Sequence, residues 1–227
     1  MKTRVLPLAL AVALSLAACG SGGETQAGSP APQGAATSQH GGGSGATGGA
    51  GGEVIDTVKT ETAAAPKVEN AMLEKYGISG RSVVELVDFM DETNEHRGSG
   101  LNGSVRADHL LLKDEQTGQE QAVPVPDGLF YVSVAPYAGR THECFNHSLT
   151  GCVGEFAGTQ MQAKVVTDDG TVLHDGPVTT FENGFVGFWL PRDVKGTMSF
   201  TYDGKSVEAP FATDEKSPTC ITTMQLT

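Results

Sequence analysis

The C-terminal half of the chain is divided by a series of Asp-Gly and Asn-Gly dipeptides, which constrain its fold more than any other feature. They occur at Asp127-Gly128, Asp169-Gly170, Asp175-Gly176, Asn183-Gly184 and Asp203-Gly204. Each stands beside a run of strand-forming residues, and such dipeptides are the strongest short-range signal for a β-hairpin. The pattern predicts a series of short strands joined by tight turns.

The runs beside these turns alternate in polarity with the period of a strand. In 130–135, Phe130, Val132 and Val134 share one face and Tyr131, Ser133 and Ala135 share the other. The other predicted strands are 105–113, 160–167, 184–190, 197–202 and 221–226. We therefore expect a mainly β protein with an N-terminal helical part (α+β), in which residues 103–227 form an antiparallel β-sandwich or barrel-like domain.

Residues 67–102 are the predicted helical part. A short helix is expected over 68–76, ended by Gly77, and a better one begins at Ser82, which forms a capping box with Glu85. Its apolar residues have helical spacing, at Val83, Leu86, Val87 and Met90. This stripe predicts packing onto the rest of the chain or onto a second copy, as in a homodimer. The acidic residues are placed on or near the polar side: Glu85, Asp88, Asp91 and Glu92.

The first residues are typical of an exported lipoprotein. Lys2 and Arg4 precede an apolar run at 5–16 that is too short to span a bilayer, and Leu16-Ala-Ala-Cys19 resembles a lipobox. We predict a signal peptide over 1–18 and lipidation of Cys19, which anchors the protein outside the cytoplasm. Ordinary signal cleavage beside an incidental cysteine is the less favoured alternative.

Residues 19–66 are predicted to be a flexible tether, because 20–53 are rich in Gly, Ser and Ala and lack aromatic residues. The chain carries a net charge of -12, and its Lys and Arg residues are scattered. Nucleic-acid binding is disfavoured, because it requires a basic patch.

The segment Thr141-His-Glu-Cys-Phe-Asn-His-Ser-Leu-Thr-Gly-Cys152 is dense in potential metal ligands. It holds Cys144, Cys152, His142 and His147, and a further cysteine, Cys220, lies near the C-terminus. Thiolate and imidazole ligands suit Cu(I) and Zn(II). We predict a metal site at the three cysteines, with the two histidines in or next to the coordination sphere. His96 is interpreted as a solvated helix-end residue, and His109 and His174 as surface or half-buried structural residues.

Two other interpretations of the cysteines remain open. Cys144 and Cys152 would form a disulfide in an exported protein, leaving Cys220 as a spare thiol. A nucleophilic Cys144 with His142 or His147 as its base is less favoured, because the sequence shows no group that would orient the histidine. We predict that the protein is not an enzyme, apart from Cu(II) reduction at its thiols.

Three blocks of the sequence resemble the CueP family of periplasmic copper-binding proteins. They are 130–137 with the cysteine segment and Gly154-Glu155, then 183–191, then 219–223. The resemblance implies copper resistance, with Cu(I) held by Cys144, Cys152 and Cys220. It also implies storage of copper or its delivery to exported enzymes such as a Cu,Zn superoxide dismutase, contact with thiol-disulfide exchange proteins, and a dimer.

These observations lead to one expectation for the whole chain: an extracytoplasmic, lipid-anchored Cu(I)-binding protein. A zinc-binding or thiol-redox lipoprotein is the alternative.

Overall fold

The computed structural model describes residues 49–227, with side chains from Val54 onward. The predicted signal peptide, Cys19 and the tether up to residue 48 lie outside these residues. No helix in the described part combines the length and apolar character needed to cross a bilayer.

The described chain is mainly β with helices at its N-terminal side, which confirms the expected class. The helices are α1 (Gly49–Ala64), α2 (Ala71–Lys75) and α3 (Val83–Glu92). The strands are β1 (Lys67–Val68), β2 (Arg81–Ser82), β3 (Leu101–Val105), β4 (His109–Asp114), β5 (Glu120–Pro124), β6 (Leu129–Val134), β7 (Gln160–Thr167), β8 (Val172–Thr179), β9 (Val186–Pro191), β10 (Lys195–Tyr202), β11 (Lys205–Ala212) and β12 (Cys220–Ile221).

Helix α1 occupies residues that the sequence analysis assigns to the tether. Residues 54–65 contain neither glycine nor proline, so nothing in them interrupts a helix, and Pro66 follows its end. The tether prediction therefore does not hold for residues 49–64.

Helix α3 forms where the capping box predicts it. Ser82 Oγ accepts from the backbone N–H of Glu85 at 3.2 Å, and Glu85 Oε2 accepts from the N–H of Ser82 at 2.6 Å. Its apolar stripe packs into a core formed with α2 and strands β3, β4 and β6. The protein itself covers the stripe, so of the two expected partners the structure shows the rest of the chain.

The strands form a two-stranded ribbon and three larger sheets, in the orders β3-β4-β5, β12-β6-β9 and β11-β10-β7-β8. Neighbouring strands are antiparallel except β12 and β6, which run parallel with Cys220 opposite Ser133. The predicted strand 105–113 is instead two strands of a hairpin, because the chain turns between Arg106 and His109. Asp175-Gly176 lies within β8 and not at a turn, and only the first residue of the predicted strand 221–226 is in β12.

Strand β6 separates two apolar cores, which explains why all six of its residues are buried. Leu129 and Tyr131 face the core that contains α3. Phe130 and Val132 face a second core, which the sheets β12-β6-β9 and β11-β10-β7-β8 share as a sandwich. The alternation read from the sequence is therefore correct, although neither face of the strand meets solvent.

Candidate metal centre

The cysteine segment leaves β6 and returns beside β12. The backbone N–H groups of Thr219 and Cys220 both donate to the carbonyl of Phe145, at 3.0 and 3.2 Å. The N–H of His147 donates to Thr219 Oγ1 at 3.0 Å. These bonds bring Cys220 next to Cys144, although 76 positions separate them in sequence.

The three cysteines meet at one place. Cys144 and Cys220 form a disulfide with Cα atoms 5.7 Å apart. The Sγ of Cys152 lies 3.5 Å from the Sγ of Cys144, and its thiol is free and buried. A disulfide between Cys144 and Cys152 is thus the wrong pairing, and Cys220 is not the spare thiol.

Both histidines of the segment lie at this cluster. Donor atoms of His142, Cys144 and Cys152 are all within 4.8 Å of one another, and so are those of His147, Cys152 and Cys220. The ring of Phe185 packs between the two imidazoles, with centroids 6.1 Å from His142 and 4.6 Å from His147. The structure therefore brings together every metal ligand predicted from the sequence.

A carboxylate that the sequence analysis places on the wet side of α3 also reaches the cluster. Asp91 is fully buried, and its Oδ1 lies 2.7 Å from Nε2 of His147. The same carboxylate accepts from Tyr131 Oη at 2.6 Å, Ser133 Oγ at 2.8 Å and Asn183 Nδ2 at 2.6 Å. One sequence signal pointed to it, because Asp91 follows Val84 and Val87 at helical spacing and so falls on the apolar side.

These contacts shift the pKa values of the cluster. Burial opposes the charge on His147, but the Asp91 carboxylate outweighs it and raises the His147 pKa to about 9. Burial likewise opposes ionisation of Cys152, but the neighbouring His147 imidazolium outweighs burial and lowers the Cys152 pKa to about 7. For Asp91, His147 and the hydroxyl donors outweigh burial and keep the pKa low. A neutral-pH thiolate at Cys152 beside an imidazolium follows from these shifts.

Backbone and arginine contacts hold the Cys152 end of the segment. Arg97 donates to the carbonyls of Gly151 and Cys152, at 3.0 and 2.7 Å. The N–H of Ser148 points to the Cys152 sulfur at 3.4 Å, a contact that favours the thiolate.

The group that would orient a catalytic histidine is thus present, although it serves a different cysteine from the one considered in the sequence analysis. Asp91 holds His147, and the cysteines within reach of His147 are Cys152 and Cys220. Cys144, the predicted nucleophile, is oxidised.

The disulfide is accessible from two grooves. One, of about 580 Å³, is lined by Cys144, Cys220, Lys195 and Phe211 among others. The other, of about 380 Å³, is lined by Tyr137, Thr141, His142, Glu143 and Cys144 with Thr222 and Thr223. Phe145, 56% exposed, lies directly after Cys144.

The remaining described histidines lie apart from the cluster. His109 contacts Asp108 and His174 contacts the Gly176 carbonyl. His96 is not solvated, since it is 7% exposed and packs edge-on against Tyr76 and Phe89. The interpretation of His96 as a solvated helix-end residue is wrong.

Comparison with known proteins identifies the family. The family described as "Periplasmic copper-binding protein CueP" matches residues 85–225. The chain belongs to the CueP family. Among solved structures, the crystal structure of S.CueP is 38% identical and superimposes with a TM-score of 0.66, covering 72% of this chain and 100% of that one. No curated protein matches the chain.

The CueP match contains the whole cluster. Residues 85–225 include Asp91, the cysteine segment and Cys220. The match begins within α3 and leaves residues 1–84 outside it.

Proposed function

We propose that the protein binds Cu(I) outside the cytoplasm, with the Sγ atoms of Cys144, Cys152 and Cys220 as ligands. The observation that carries this proposal is the meeting of three sulfur atoms in a chain of the CueP family. Thiolate sulfur is the donor that Cu(I) prefers.

Binding requires reduction of the disulfide. Two electrons and two protons convert the Cys144–Cys220 disulfide into two thiols beside the thiol of Cys152. Loss of the thiol protons then provides three thiolates. The oxidised form described above is the metal-free state of this cycle, and the grooves beside Cys144 give a reducing thiol access to the disulfide.

The surroundings favour an ion that is buried in the protein. Cys152 and Cys220 are 8% and 2% exposed, so bound copper would be shielded from water and from oxidants. His147 and His142 supply nitrogen near the sulfur atoms. Three sulfur atoms and one nitrogen also suit tetrahedral Zn(II), which is the alternative metal.

An anaerobic titration of the reduced full-length protein tests the proposal. Cu(I) is added against a competing chelator, with Zn(II) in parallel, and thiols that remain reactive to alkylation are counted. We expect one Cu(I) to protect three thiols, and Ser at Cys144, Cys152 or Cys220 to weaken binding sharply. Cys19→Ser is the control and leaves the affinity unchanged. Unaltered affinity in all three cluster variants, or tight Zn(II) with weak Cu(I), would refute the copper site.

We further propose that the protein is a lipoprotein of the cell envelope, anchored at Cys19 and reaching its partners through the segment that follows. Its role would be copper resistance by storage or by delivery to exported copper enzymes, a Cu,Zn superoxide dismutase among them. Mass spectrometry of the protein from membranes tests the anchor. An acylated Cys19 supports it, and an unmodified mature N-terminus rejects it.

A thiol-redox switch is the second candidate function. The observation that favours it is the disulfide with a free, activated thiol 3.5 Å away. A switch protein would turn over a protein disulfide substrate without metal. Absence of turnover by the reduced protein, together with stoichiometric Cu(I) binding, decides for copper.

A further inference from the structure

Asp91 links helix α3 to the cysteine cluster through a buried network. It is the only residue of α3 with hydrogen bonds to the cluster among those described, and its side chain is fully buried. Oδ2 accepts from two side chains of β6, Tyr131 and Ser133. Oδ1 accepts from His147 and Asn183. Fastening α3 to β6 would need the first pair alone, whereas the bond to His147 leads to the cysteines.

The carboxylate determines which nitrogen of His147 is available. Asp91 accepts at 2.7 Å from Nε2, so this nitrogen carries a proton. Nδ1 is buried and has no hydrogen-bond partner among the described side chains. Since a nitrogen of this ring lies within 4.8 Å of the Cys152 and Cys220 sulfur atoms, Nδ1 is the one left for them.

An unpartnered buried polar atom is costly, so its retention calls for a reason. A metal ion among the sulfur atoms supplies one, because Nδ1 would then release its proton and donate its lone pair to the ion. Histidines that bind metals usually donate their other N–H to a carboxylate, which fixes the tautomer and makes the ligand more basic. Phe185 packs against the ring, with centroids 4.6 Å apart, and restricts its rotation.

We propose that Asp91 is a positioning residue of the copper site, holding Nε2–H of His147 so that Nδ1 faces the bound ion beside Cys152 and Cys220. This inference rests on the proposed function. Asp91 belongs to the helical part of the chain, which is predicted from the sequence to end at residue 102, before the metal-binding domain. The inference therefore places a residue that the site needs outside that predicted domain.

Substitution of Asp91 tests this role against a structural one. In the reduced full-length protein, Asp91→Asn keeps the shape of the side chain but removes the charge that fixes the tautomer. We expect Cu(I) affinity to fall about 10- to 100-fold. Asp88→Asn is the matched control, because Asp88 lies one turn earlier, is also shielded and, among the described side chains, bonds only Trp189 Nε1, at 2.7 Å. It should leave Cu(I) affinity unchanged.

A double-mutant cycle shows whether Asp91 acts through His147. If it does, Asp91→Asn costs no further Cu(I) affinity in a His147→Asn background. Equal losses in both backgrounds would overturn the proposal, and so would wild-type affinity in Asp91→Asn. Failure of wild-type protein to bind Cu(I) would instead overturn the proposed function.

Nitrogen-15 NMR of the His147 ring gives a readout that needs no variant to fold. In the Cu(I)-loaded wild type we expect a protonated, hydrogen-bonded Nε2 and a deprotonated Nδ1 shifted by the metal. A protonated Nδ1 in the loaded protein would contradict the assignment.

Discussion

At the scale of single residues, the three cysteines differ in what surrounds them. Cys152 is a free thiol beside an imidazole that a buried carboxylate holds in the charged form. Cys144 borders both grooves, and Cys220 is buried at the start of β12. The protein thus combines one activated thiol with one accessible disulfide.

The first prediction concerns the titration of Cys152 in the oxidised protein, where it is the free thiol among the described cysteines. Its pKa of about 7 depends on His147, which outweighs the effect of burial. In His147→Gln we expect the Cys152 pKa to rise towards the usual value for a thiol, about 8.5, because the group that most opposes the effect of burial is removed. At pH 8, Cys152 would be mostly thiolate in the wild type and mostly thiol in the variant.

The far-ultraviolet absorbance of the thiolate measures this shift. The titration runs from about pH 5 to about pH 10, which spans both expected pKa values. His109→Gln serves as control, since His109 bonds Asp108 away from the cluster. An identical titration in wild type and His147→Gln would contradict the prediction.

The residues of the candidate site show how far a sequence can lead. Cys144, Cys152, His142 and His147 were identifiable because they are close in sequence, and Cys220 because it was the remaining cysteine. Asp91 was missed because an acidic residue near the end of an amphipathic helix is usually solvated. Only the three-dimensional arrangement places it opposite His147.

At the scale of elements, two loops of the site meet through glycines. A Cβ on Gly154 would overlap the carbonyl oxygen of Gly184, and a Cβ on Gly184 would come within 2.7 Å of the Gly154 carbonyl. These are backbone atoms, which cannot move aside as a side chain does. The loop after Cys152 and the turn before β9 therefore depend on both glycines for their close approach.

We predict that Gly154→Ala destabilises the protein by about 1–3 kcal/mol, as overpacking usually does. Gly139→Ala is the matched control from the same connection, because its Cβ would lie 3.6 Å from the Glu155 carboxylate, an ordinary contact. Urea unfolding of the oxidised proteins measures both. Equal stability of Gly154→Ala and wild type would contradict the packing described.

A second prediction at this scale concerns the contact between α2 and β4. Lys75 Nζ lies 2.6 Å from Asp114, whose side chain is 3% exposed, and this hydrogen bond lowers the Asp114 pKa to about 2. A depressed pKa contributes stability at neutral pH that is lost as the pH falls from the unfolded value, about 3.9, towards 2. Asp114→Asn should be less stable at pH 7 and should lack this acid-dependent loss.

Unfolding midpoints in urea at neutral and acidic pH test the contact. Glu120→Gln is the comparison, because Glu120 pairs with Lys113 at 2.8 Å but both side chains are about half exposed, 51% and 48%. Such an exposed pair contributes little. If Asp114→Asn kept the full acid sensitivity of wild type, the contact would not be its source.

The elements that the sequence predicted well have strong local signals, and those that it missed depend on distant pairing. The capping box located α3, and Asp169-Gly170 and Asp203-Gly204 located two hairpins. Asp175-Gly176 failed because Gly176 continues β8, paired with Ala163. The parallel pairing of β12 with β6 had no local signal, since it joins distant parts of the chain.

At the scale of the whole molecule, the disulfide closes a large loop of the sandwich. Cys144 and Cys220 are 76 positions apart. By loop-closure entropy, a cross-link over such a separation stabilises the fold by roughly 4 kcal/mol. Reduction before metal binding therefore carries a cost in stability, which a bound ion would offset by bridging the same residues.

We predict that the thermal midpoint falls when the metal-free protein is reduced and rises again when Cu(I) is added. Calorimetry of the oxidised, reduced and Cu(I)-loaded forms measures the three values. The oxidised Cys152→Ser variant still has the Cys144–Cys220 disulfide, so its thermal midpoint should also fall on reduction. The rise in its midpoint on addition of Cu(I) should be smaller than in the wild type. Equal midpoints for oxidised and reduced metal-free protein would contradict the role given to the disulfide.

The most direct test of the central claim is X-ray absorption spectroscopy of the reduced protein loaded with one equivalent of Cu(I). We predict a copper ion bound by three sulfur atoms, with a nitrogen contribution that His147→Asn removes. A spectrum with two sulfur ligands, or with nitrogen and oxygen alone, would contradict it.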